Sequence, residues 1–138
     1  MANKTIQFVL ISPEKVVFDE PVAQAHMRAE SGDLGILPGH VRLIAPVKIA
    51  PLRLILENGQ EQKFLVHGGT LNVTPEKAQL LCDNVEKADE INAEQARQTK
   101  EELESKLRSA LKPEAAHRIR RELEIAIARL DLTRRHGH

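Results

Sequence analysis

The chain has 138 residues, 41% of them hydrophobic and only 2% aromatic, with no tryptophan, no tyrosine and three phenylalanines. That length suits one domain, or a small domain with an appendage, and excludes two large independent cores; the scarcity of rings argues against surfaces that stack bases or sugars. Twenty basic and twenty acidic residues cancel, so no net field draws the molecule onto nucleic acid or anionic lipid.

Met1 to Thr5 lead straight into strand-like sequence, with no room for a signal or transit peptide. No run approaches the roughly 18 apolar residues of a membrane span. A soluble cytosolic protein is expected, with membrane association only through a partner. Ile6, Phe8 and Leu10 alternate onto one face of a first strand, and Ser12-Pro13-Glu14-Lys15 turns the chain into Val16-Val17-Phe18. Val22 to Ala29 reads as another strand. Pro46 and Pro51 bracket Val47 to Ala50, after which Leu52, Leu54 and Leu56 alternate as far as Asn58-Gly59, a two-residue hairpin signal. Gln62 to Val66 would pair back, Gly68-Gly69 would break the strand, and Leu71 to Val73, Thr74-Pro75-Glu76-Lys77 and Ala78 to Cys82 form another hairpin. Short strands with turns about every ten residues indicate an antiparallel sandwich or flattened barrel. The single cysteine, Cys82, cannot form an internal disulfide and reads as a small buried hydrophobe.

From residue 86 the composition turns abruptly to helix formers, so the expected domains are 1–85, all β, and 86–138, a helical hairpin. Asp89 would cap a helix starting near Glu90, whose apolar face carries Leu103, Leu107, Ala110 and Leu111. Glu102 with Lys106, and Glu104 with Arg108, are candidate i,i+4 pairs. Lys112-Pro113-Glu114 stops this helix and opens the next, whose stripe is Ile119, Leu123, Ala126, Ile127 and Leu130. Two such helices pack antiparallel across a short connection. The hairpin is poor in large apolar groups: at roughly 1.5 to 3 kcal/mol each, about six of them barely offset the ordering of about 45 residues. A hairpin this marginal is expected to change partners.

Gly32-Asp33-Leu34-Gly35-Ile36-Leu37-Pro38-Gly39-His40 is the densest motif. Three glycines and a proline fix a rigid protruding loop. It lacks the lysine and the strand-to-helix context of a phosphate cradle, and from its residues alone it reads as a structural turn before a site. The six histidines share no zinc-ligand spacing, no nucleophile elbow is present, and Asp19-Glu20 and Glu101-Glu102 read as solvated charges. Nothing in the sequence looks like an enzyme. Residues 86–111 carry seven acids and five bases, and residues 112–138 four acids and seven bases. The basic residues of the second helix are either a solvated face suited to a helix C-terminus or a strip that meets an acidic partner.

Two of these motifs carry a resemblance. Gly32 to His40 with Val41-Arg42-Leu43-Ile44, and Val66-His67-Gly68-Gly69-Thr70-Leu71-Asn72-Val73-Thr74-Pro75, closely resemble the signatures of epsilon subunits of bacterial F-type ATP synthases. Their order, the strand-rich first part and the helical hairpin fit along essentially the whole chain. The resemblance implies an α+β protein: an N-terminal antiparallel β-sandwich of about ten strands, then a C-terminal antiparallel two-helix hairpin. It implies a non-catalytic rotor subunit on the cytoplasmic face of the plasma membrane, partnered by the gamma subunit, the c-ring and the catalytic alpha and beta subunits. Asp33 and His40 would touch the c-ring, with Gly32, Gly35, Pro38 and Gly39 serving loop geometry. The helices would act as a switch on ATP hydrolysis, with Arg118, Arg120, Arg121 and Arg129 facing an acidic segment of the catalytic head, which favours the second reading of the basic strip. Many members bind ATP at an Ile/Leu-Asp-x-x-Arg-Ala motif; the matching stretch here is Ile91-Asn92-Ala93-Glu94-Gln95-Ala96. Asn92 and Gln95 replace the acid and the guanidinium, and Glu86 alone does not restore the site, so no cofactor is expected and ATP binding is predicted weak or absent. The alternative reading is a free-standing β-domain adaptor that recruits partners through its helices.

Overall fold

A computed structural model describes residues 5–39 and 42–136. Alternating apolar side chains build seven strands: β1 (Ile6–Ile11), β2 (Val16–Ala29), β3 (Gly32–Ile36), β4 (Leu43–Leu56), β5 (Glu61–Val73), β6 (Lys77–Cys82) and β7 (Val85–Lys87). The sheet runs β1-β6-β5-β4-β2-β3, β7 joins β5, and a further β1–β2 pairing returns the ladder to its start. Closure leaves few open edges. Most pairings are antiparallel, but β1 and β6 run parallel, Phe8 opposite Ala78.

Seven strands replace the expected ten because three of them are long and change face midway. On β4 the inward residues are Val47 and then Leu52 and Leu54; on β5 they are Phe64 and Val66, then Leu71 and Val73. Each set switches parity, while the register between the two strands never slips, Leu43 opposite Val73 and Ile55 opposite Glu61. The strands therefore bend together, carrying their apolar side chains from one wall of the sandwich to the other. Pro46 and Pro51 lie within β4 rather than ending it, and Gly68-Gly69 lie within β5 rather than breaking it. Pro51 pairs with Leu65 of β5 and sits where β2 does not pair with β4, between the Arg53 and Val47 contacts, so on the β2 side no ladder bond calls for an N–H. Gly69 is required by a close approach: a Cβ there would stand 2.2 Å from Leu81 O.

The turns follow local chemistry. Ser12 N–H donates to Lys15 O (2.9 Å) and Thr74 N–H to Lys77 O (2.8 Å), as the sequence indicates. Asn58-Gly59 belongs to a three-residue loop, not a two-residue one: Gly59 N–H donates to Leu56 O (2.9 Å) and Leu56 N–H to Gln60 O (2.8 Å), and Asn58 Oδ1 accepts from Gln60 N–H (2.9 Å). The core is aliphatic around one edge-to-face pair, Phe18 and Phe64, whose centroids lie 6.1 Å apart. Cys82 is buried in it, and its Sγ donates to Ile11 O at 3.2 Å.

The chain divides into two compact units between Glu86 and Lys87. The second unit opens with a 3-10 turn, Ala88–Glu90, followed by α1 (Ala93–Arg108) and α2 (Pro113–His136). Asp89 lies in the 3-10 turn, and the cap of α1 is Asn92, whose side chain accepts from Gln95 N–H at 3.0 Å. Of the expected stripes, Leu103 and Ala126 are buried and Leu107, Ile119, Leu123 and Leu130 half-buried, while Leu111 is 97% exposed beyond the end of α1 and Ile127 faces out. Leu132 and Ala96 are buried instead. Glu104 pairs with Lys100 (3.9 Å) rather than Arg108, and Arg97 pairs with both Glu94 and Glu101. No helix among the described residues is long and apolar enough to cross a membrane.

Candidate functional site

The β3–β4 loop is built on a tight β2–β3 hairpin in which Ala29 faces Gly32. Gly32 and Gly39 adopt φ of 128° and 79°, the region that disfavours side chains, whereas Gly35 does not. Gly35 instead faces His26, whose ring would be 3.4 Å from a Cβ at this position. Ile36, fully buried, and Leu43, packed against the core, clamp the two ends. Between them Leu37 is 52% exposed and Pro38 half-buried; His40 and Val41 lie outside the described residues. Asp33 is exposed, and Arg28 Nε, opposite it across the hairpin, donates to its Oδ1 at 3.2 Å. Nothing in the linear pattern points to Arg28, because cross-strand partners depend on register.

A second surface crosses the outer face of the sheet. Pairing places Pro46 opposite Thr70, Thr70 opposite Leu81, Leu81 opposite Ile11 and Ile11 opposite Val16. Their strand neighbours Val47, Leu71, Leu80 and Leu10 point into the core, so this row points out. Val16 and Leu81 are 55% and 50% exposed, and Ile44, two residues before Pro46, is 73% exposed. Pro46, Leu81, Ile11 and Val16, from four strands with Thr70 of β5 between Pro46 and Leu81, form a largely apolar strip of the kind that marks a protein contact. Alternation in the sequence reveals two faces of each strand; it does not reveal that outward apolar residues of distant strands meet.

On α2, Arg118, Arg120 and Arg121 are exposed and Arg129 half-buried. At about 100° per residue, Arg118, Arg121 and Arg129 share one side and Arg120 falls on another. The helix therefore does not gather all four. The positions matching the nucleotide motif are engaged locally: Asn92 caps α1 with the Gln95 amide, Glu86 accepts from His67, and Arg97 is held by Glu94 and Glu101. Glu86 belongs to the first unit, Asn92 and Gln95 to the second. Hydrogen bonding from Arg97 holds the Glu94 carboxyl below the ordinary range, and Glu94 raises Arg97 in turn. Burial pushes the Cys82 thiol up to about 11, the thiol form of a core side chain. Among the described residues no group of His, Cys, Asp and Glu could hold a metal ion.

Residues 5–88 match the family of ATP synthase delta/epsilon chain β-sandwich domains. The whole chain is 37% identical to the ATP synthase epsilon chain of Natranaerobius thermophilus, over 97% of this chain and 96% of that one. It is 36% identical to that of Bacillus velezensis, over 94% and 97%. The chain therefore belongs to the ATP synthase epsilon chain family, as a non-catalytic subunit. Its fold superposes with a TM-score of 0.84 on a chain of the Euglena gracilis mitochondrial ATP synthase, covering 93% of this chain and 81% of that one at 22% identity.

Proposed function

We propose that this chain is a central-stalk subunit of a proton-translocating F-type ATP synthase. Its β-unit would dock on the gamma subunit and the c-ring, and its helices would restrain ATP hydrolysis by the catalytic alpha and beta subunits. The apolar strip Ile44, Pro46, Leu81, Ile11 and Val16 carries the reading. A rotor part that must transmit torque without slipping needs a broad packed interface, and a closed, rigid sheet supplies the backing for one. The gamma subunit is the occupant assigned to this strip; Asp33 on β3 and the loop that follows with Leu37 would meet the polar loops of the c-ring, His40 being a further candidate outside the described residues. Membrane association comes only through the complex, at the cytoplasmic face of a bacterial plasma membrane. With the Glu86 and Asn92 side chains engaged as described and Gln95 standing where the motif has an arginine, ATP is not a ligand on which the helices depend.

Substitution of Ile44 and Leu81 by Glu leaves the core untouched, because both side chains are at least half exposed. The pair of substitutions should abolish co-purification with gamma and uncouple the membrane-bound enzyme; full retention of both would remove the stalk reading and favour the adaptor. Removal of the chain from Lys87 onward, where the first unit ends, should leave assembly intact and raise ATP hydrolysis if the helices restrain it. An unchanged rate would remove the regulatory role alone.

A further inference from the structure

Among the described residues, His67 is the one polar or charged residue that is buried. Its Nε2 donates to Glu86 Oε2 at 2.7 Å, with the two side chains 7% and 25% exposed. A carboxylate only accepts, so the proton of this bond sits on Nε2. Glu86 is the central residue of β7, a strand of three residues, and the last residue of the first unit. β7 lies against β5, the strand of His67. Backbone hydrogen bonds lie beside it: His67 N–H donates to Asn84 O (2.9 Å) and Asp83 N–H to Gly68 O (3.0 Å). So short a strand is weakly held by its ladder alone. A charge-assisted bond shielded from water holds far better than the exposed Arg28–Asp33 and Arg53–Glu61 pairs, which solvent screens.

We infer that the His67–Glu86 pair is a latch: it fastens β7 to β5 and so fixes the strand through which the chain leaves the β-unit for the helices. His67 is reached from Glu86 across 19 positions of sequence, and it lies in the segment whose two glycines let β5 bend. The pair therefore ties the exit strand to the bend of β5. It also engages the Glu86 carboxylate from within the chain, leaving that group committed to protein rather than to a ligand. The consequence for regulation rests on the reading above that the helices restrain hydrolysis: a loosened β7 gives the helical unit a freer hinge.

Amide exchange measured by mass spectrometry on the full chain tests the latch. His67→Leu and Glu86→Ala should each speed exchange in the segment from Asn84 to Lys87 by roughly tenfold to a hundredfold, the range for losing a buried bond to a charged group. The double variant should fall short of the sum of the two singles, because the two share a bond that either change removes. Glu86→Gln keeps an acceptor and should stay within a few-fold of the parent. Amides of β1 and β6 should keep their rates. Unchanged exchange of β7 in Glu86→Ala overturns the latch, and so does uniform acceleration of every strand, which would make His67 a core filler. The same variants, assembled into the ATP synthase, separate the two readings: a loosened β7 with unaltered hydrolysis upholds the latch and defeats the regulatory role of the helices.

Discussion

Replacing Gly69 by Ala should be among the most damaging single changes in the β-unit. Gly69 faces Cys82 across the β5–β6 ladder. A Cβ there would lie 2.2 Å from Leu81 O and 2.7 Å from Cys82 Cα, against about 3.5 Å or more for an ordinary contact. Both obstructing atoms are backbone, so no side chain can rotate away; β6 must move by about an ångström, straining the ladder and the Cys82 thiol bond to Ile11. Overpacking of this kind costs about 1–3 kcal/mol and more where nothing yields, and about 3 kcal/mol is expected. Gly59→Ala is the control. Gly59 has φ of 88° and nothing within 4 Å of a Cβ, so it incurs only left-handed strain of about 1–2 kcal/mol. With a urea slope of about 1.5 kcal/mol/M, the midpoint of the β-unit, followed by far-ultraviolet circular dichroism, should fall by about 2 M for Gly69→Ala and by about half that for Gly59→Ala. Equal midpoints for the two variants would refute the claim that β5 and β6 approach so closely.

Cys82 should react with thiol reagents in the folded protein far more slowly than in urea, since burial holds its pKa near 11 against an ordinary 9.0. The folded state keeps that proton longer than the unfolded chain, so the contribution is fully present below pH 9 and is lost as pH rises toward 11; the urea midpoint of Cys82→Ala should vary less across that window than the parent's. Glu94 is shifted the other way, so its pairing with Arg97 supports α1 above the ordinary 4.5 and fades as pH falls through the lowered value, a modest loss of helical signal that added salt at neutral pH should mimic. Amides of α1 and α2 should exchange faster than those of β1, β5 and β6, because the hairpin buries little beyond Ala96, Leu103, Ala126 and Leu132; equal protection would contradict the idea of a marginal hairpin. Calorimetry with MgATP should detect no sub-millimolar binding, and a clear isotherm would show that Asn92 and Gln95 were overvalued.

Much of this protein is written in short stretches of its sequence. The Ser12–Lys15 and Thr74–Lys77 turns, the stop at Pro113 and the apolar alternation of β1 each depend on a few adjacent residues, so local chemistry decides them wherever they are placed. The two signature motifs likewise identify the family without any pairing being known. What could not be read there depends on residues that meet only after folding. The bend shared by β4 and β5 turned apparent breaks at Pro46, Pro51 and Gly68-Gly69 into continuous strands, because a face switch is stable only when both partners make it together. The parallel β1–β6 pair, the outward row from Pro46 to Val16 and the Arg28–Asp33 contact arise from register. The Cys82 thiol bond to Ile11 spans 71 positions. Helix periodicity marked Leu111 as apolar and well spaced, yet the chain leaves α1 before reaching it. Sequence thus set the local conformations and the family; the closed sheet set which distant side chains became neighbours, since burial and pairing are properties of the folded assembly of strands and not of any one of them.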